Sequence, residues 1–99
     1  MEIIKNIEGS KVTFIIKGNL DTVTSPELQK ELDALDAAAK EIVFDFASLD
    51  YISSAGLRVM LTANKRMVAS GGSMTIANTV PSVREVFDMT GFSDIFTMV

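Results

Sequence analysis

Strand-like and helix-like runs alternate along this chain, and that alternation constrains its fold more than any other feature. Val12, Phe14 and Ile16 alternate with Thr13, Ile15 and Lys17, the period of two expected of a half-buried strand. Residues 2–7 read as its hairpin partner, turned at Gly9-Ser10, and Gly18-Asn19 breaks the strand. Asp21 to Thr24 form a loop before a helix, and Thr24-Ser25-Pro26-Glu27 supplies a hydroxyl cap, an early proline and a Glu three residues on. Leu28, Leu32, Leu35 and Ala39 then fall on one helix face. Ile42-Val43-Phe44 with Phe46 suits a central strand. The next helix, Leu57 to Val68, is expected to bury Leu57, Met60, Leu61, Met67 and Val68 and to show Arg58, Thr62, Lys65 and Arg66 to water. Ser70-Gly71-Gly72 ends it. Ser73 to Ala77 reads as a strand. Pro81 opens a third helix with Val83, Val86 and Phe87 inward, Gly91 stops it, and a last short strand is predicted over 95–98.

The resulting order is ββαβαβαβ. Crossovers of this kind favour parallel pairing and right-handed connections. A single α/β domain over residues 1–99 is expected, with four or five strands. Three helices leave one sheet face less well covered.

Composition narrows the chemistry. The 99 residues hold no Cys and no His. Disulfides, thiol chemistry, the commonest general base and the commonest metal ligand are therefore absent. Thirteen acidic against 9 basic residues give a net charge of −4, which argues against non-specific nucleic-acid binding. No apolar run approaches the roughly 20 residues that span a bilayer, and the N-terminus lacks a signal-peptide pattern. A cytoplasmic location is the expectation, with no metal and no cofactor.

The site candidates gather where the Glu41–Asp50 segment meets the second helix, at Ser53-Ser54-Ala55-Gly56-Leu57. A helix N-terminus leaves N–H groups unpaired and tolerates anions. Two readings of Ser54 stand on spacing alone: a helix cap, or a site where a phosphate switches the local charge. A nucleophilic role needs a base; no His exists, and no Lys is tied to the loop. The stretch is not a Gly-x-Ser-x-Gly elbow, and no phosphate-binding Gly-rich loop occurs. Asp33 and Asp36 read as a solvated helix face. Asp21 and Asp50 each sit in a loop following a strand, and such loops collect at one end of a parallel sheet. Asp21 is thus either near Ser54 or simply a turn residue.

Four blocks in order carry a resemblance: Gly18-Asn19-Leu20-Asp21, Leu49 to Leu57, Gly71-Gly72-Ser73-Met74, and Val83 to Phe92 with its Phe87-Asp88-Met89-Thr90-Gly91 core. Together they resemble the STAS family, and within it the small bacterial anti-sigma factor antagonists. The resemblance implies a mixed sheet with about three helices packed mainly on one face, and a regulatory protein rather than an enzyme. It implies an anti-sigma factor serine kinase as partner, capture by the unphosphorylated form, release when a serine is phosphorylated, and a serine phosphatase that restores binding. The phosphorylated position falls on Ser54, with Gly56 and Leu57 matching the motif. Asp21 matches an acid near the phosphoacceptor. Ser53 stands where the family often has Asp, which leaves two hydroxyls side by side. Ser53, Ala55, Gly56, Leu57 and Arg58 are expected to support the site or touch the partner. STAS modules also serve as accessory subunits of transport or signalling complexes, where such a serine is only structural.

Overall fold

The structure, a computed structural model, describes residues 1–99. Its elements are β1 (Glu2–Glu8), β2 (Lys11–Leu20), α1 (Ser25–Asp33), β3 (Glu41–Asp45), β4 (Leu49–Ile52), α2 (Ser54–Ala69), β5 (Ser73–Ala77), α3 (Pro81–Thr90), a 3-10 turn (Phe92–Asp94) and β6 (Thr97–Met98). The main sheet runs β1-β2-β3-β5-β6, and β4 pairs with the end of β2. β1 is antiparallel to β2; the other pairs are parallel. This is the mixed α/β sheet the element order implied.

Register explains the one-sided core. Val12 pairs with Ile42 and Ile42 with Met74, while Phe14 pairs with Phe44 and Phe44 with Ile76. All six side chains are buried. The alternate row, Thr13, Val43 and Thr75, is only half-buried. A strand's side chains alternate between faces, so the helices cover the first row alone. Leu28 and Leu32 of α1, Met60 and Met67 of α2, and Val83 and Phe87 of α3 complete that core. A file of aromatic rings crosses it: Phe14 to Phe44 at 5.6 Å, Phe44 to Phe46 at 6.0 Å, Phe46 to Phe87 at 6.5 Å, Phe87 to Phe96 at 5.9 Å and Phe96 to Phe92 at 5.7 Å between centroids.

Several expectations are corrected. The stretch before α2 is a strand, β4, and Asp50 is an exposed residue of it rather than of a loop. β2 does not stop at Gly18. It continues to Leu20 through an irregularity at Gly18/Asn19, where Gly18 adopts φ +93, and from there pairs with β4. Glycine takes that backbone conformation without a Cβ penalty. α1 ends at Asp33, although Leu35 and Ala39 are still buried beyond it. Arg66, expected in water, is half-buried. It reaches from α2 to donate to the carbonyls of Leu32 and, at 3.0 Å, Leu35. A cation near a helix C-terminus also interacts favourably with the helix dipole. Val68 is exposed, and Val59 takes a buried place on α2 instead. The last strand shrinks to Thr97–Met98, because Ile95 keeps a helical backbone as it leaves the 3-10 turn and the Ile95 and Phe96 amides both donate back to the Phe92 carbonyl.

Candidate functional site

The end of β2 and the start of α2 are stitched together by the backbone. Leu20 pairs with Ile52, and the Ser53 amide donates to the Leu20 carbonyl at 2.9 Å. Gly56 sits against the same junction. A Cβ there would lie 2.8 Å from Ile52 Cγ1 and 2.9 Å from both Leu20 Cγ and the Leu20 carbonyl oxygen. Close approach of helix to strands therefore requires glycine at this position, and it fixes where the first turn of α2 stands.

The two hydroxyls have different jobs. Ser53 is the cap: its backbone is extended, and its Oγ accepts from the Gly56 amide at 3.4 Å. Ser54 is the first helical residue and is exposed. The capping reading thus belongs to Ser53, and the Ser54 hydroxyl is left free for chemistry. Ala55 is half-buried, Leu57 is buried, and Arg58 is exposed one turn on. Ser54, Leu57, Arg58, Leu61, Thr90 and Phe92 line an open groove of about 300 Å³ between α2 and the end of α3. Leu61, Thr90 and Phe92 were not foreseen as part of the site. The signal for them lies in Gly91, whose φ of +79 turns the chain after α3 and brings Phe92 back.

Asp21 follows directly on Leu20, so its loop adjoins the start of α2. Its Oδ1 accepts from the Val23 amide at 3.0 Å, the Thr24 amide at 3.0 Å and the Thr24 hydroxyl at 3.1 Å. The Thr24 hydroxyl also donates to the Asn19 carbonyl at 2.8 Å and accepts from the Asp21 amide at 2.9 Å. The expected capping box at Thr24 is absent; Asp21 organises the entry to α1 instead. The Thr24 amide above all, with the Thr24 hydroxyl and the Val23 amide, holds the Asp21 carboxyl below its usual value. A carboxylate stabilised in this way supports the fold above its unfolded pKa and ceases to do so as pH falls through its lowered folded value. Asp21→Asn is therefore expected to melt below the parent at pH 7. The gap should close on acidification through pH 4 towards pH 2. Melts of both proteins across that range check this; a gap that is constant with pH contradicts it.

A domain model described as "STAS domain" matches residues 1–99. The chain belongs to the STAS family. This STAS chain is 39% identical over 82 residues to BtrV of Bordetella bronchiseptica, which carries the name of an anti-sigma factor antagonist; the match covers 82% of this chain and 71% of BtrV. It is 29% identical over 80 residues to the anti-sigma-B factor antagonist of Bacillus subtilis, covering 81% and 73% of the two chains. Its backbone is similar to that of the Bacillus antagonist SpoIIAA, unphosphorylated, with a TM-score of 0.80 at 20% identity over 99% of this chain and 87% of that one. The phosphorylated form of SpoIIAA gives 0.79 at 19% identity over 99% and 91%. All three relatives are named as regulators rather than enzymes. No helix of the STAS chain is long and apolar enough to cross a membrane.

Proposed function

We propose that this STAS domain captures an anti-sigma factor serine kinase and is released when that kinase phosphorylates Ser54. The observation that carries the reading is the free Ser54 hydroxyl at the first turn of α2. Its neighbour Ser53 does the capping, and Gly56 locks the turn in place. The covalent step moves the γ-phosphoryl of ATP to Ser54 Oγ, leaves ADP, and passes the hydroxyl proton to a base of the kinase. A serine phosphatase reverses the state by hydrolysis. The surface offered to the partner comprises Ser54, Arg58 and the groove between α2 and α3, with exposed Val23 and Tyr51 on the neighbouring loop and strand. Phosphate brings between about 1.5 and 2 negative charges. A buried charge without a partner in an interface costs several kcal/mol.

The test is incubation with the kinase and ATP, followed by fragmentation of the modified chain. One phosphate on Ser54 is expected. Ser54→Asp should weaken capture about tenfold, a loss of about 1.4 kcal/mol, and phosphate should weaken it further. Ser54→Ala should bind at least as well as the parent and escape regulation. Because Ser54 does not cap α2, Ser54→Ala should also keep its stability within about 0.5 kcal/mol. Equal affinities of the Asp and Ala variants, or modification of Ser53 alone, would refute the switch at Ser54. A chain that no host kinase modifies fits the accessory-subunit role instead.

A further inference from the structure

Ser54 and Arg58 stand four residues apart on α2, and residues so spaced share a helix face. Both line the groove between α2 and α3, and Arg58 is the only charged residue that does. The Arg58 side chain is exposed and has no partner: the ion pairs of the structure are Lys5–Glu31 and Arg84–Asp88. The first turn of α2 carries no acidic residue to compete for it. The order also suits pairing, because an anion four residues before a cation is the more favourable arrangement on a helix.

We propose that Arg58 closes over the groove onto the phosphate when Ser54 is phosphorylated, and pairs with it within the same chain. The inference rests on Ser54 as the phosphoacceptor. A guanidinium presents a planar fork of donors that matches phosphate oxygens, and no existing bond has to break to release it. Phosphorylation then acts twice on the partner surface. It adds negative charge at Ser54, and it withdraws the one cation that the groove offers to a partner's carboxylate.

The experiment places phosphoserine at position 54 during synthesis of the chain, so its outcome does not depend on any kinase. The phosphate is titrated by phosphorus NMR between pH 5 and pH 7.5, and the Arg58 Nε resonance is followed in the same samples. The chain has no His to titrate in this window. A phosphoserine titrates near pH 6. Pairing with Arg58 should lower that midpoint, and Arg58→Met should raise it by about 0.5 unit. The Arg58 Nε resonance should shift on phosphorylation and follow the same midpoint. Melts of the unmodified parent and Arg58→Met confirm that both are folded. Equal midpoints in the two phosphorylated chains, or an Nε resonance that ignores the phosphate, would overturn the proposal. Failure of a kinase to modify Ser54 would instead overturn the functional reading and leave this result standing.

Discussion

Phe44→Ala should cost about 3 to 5 kcal/mol of stability, the range for removing a buried aromatic side chain. Phe44 is fully buried at the centre of the sheet. It stacks on Phe14 with an interplanar angle of 17° and meets Phe46 at 6.0 Å. Its removal leaves a void between β3 and the helices that Phe14 and Phe46 cannot both fill without leaving their rotamers. Small domains are stable by roughly 5 to 15 kcal/mol, so the variant should lie near the edge of folding at 37 °C. The same aromatic file ends at Phe92, a wall of the Ser54 groove. The partner capture proposed for that groove should therefore fall with the folded fraction. Denaturant unfolding checks the energy, and a loss below about 1.5 kcal/mol would show that the file is not a cooperative core.

The parts of this fold that were legible in the sequence are those governed by a strong period. β2 shows clean alternation because one face is buried and the other is not. α3 is bracketed by Pro81 and Gly91. β4 was missed for the opposite reason. It has four residues, its buried positions are Leu49 and Ile52, and no period of two can show in so short a run. Its existence depends on β2 continuing past Gly18, a long-range event. Arg66 departs from its expected exposure because its guanidinium reaches across to the carbonyls of Leu32 and Leu35 at the end of α1, a long-range contact that the pattern of α2 alone does not show. The site was half legible. The motif around Ser54 falls on the start of α2, and only the three-dimensional structure gives the cap to Ser53 and leaves Ser54 exposed. Thr90 and Phe92 join the groove through the turn at Gly91, which no local pattern near Ser54 reveals.

Gly56→Ala should destabilise the domain even though alanine is the better helix former. The helix preference favours the change by about 1 kcal/mol. Against it stands a Cβ within 2.9 Å of three atoms. Two belong to Leu20 and Ile52, side chains with almost no exposure, and the third is the Leu20 carbonyl oxygen. Overpacking a full core costs about 1 to 3 kcal/mol, and the upper end applies because a backbone oxygen has no rotamer to yield. A net loss of about 2 kcal/mol is expected. The strain can be relieved only by backing α2 away from β2, which stretches the 2.9 Å bond from the Ser53 amide to the Leu20 carbonyl. That movement displaces Ser54 relative to the Asp21 loop. Under the proposed switch at Ser54, the folded fraction of Gly56→Ala should then be phosphorylated more slowly and bind the partner more weakly, at least tenfold, which exceeds its loss of folded molecules under native conditions. Unfolding curves and a phosphotransfer time course on the same preparation separate the two effects. An equally stable or stabilised variant with normal kinetics would mean that the junction yields freely and that glycine does not set the position of Ser54.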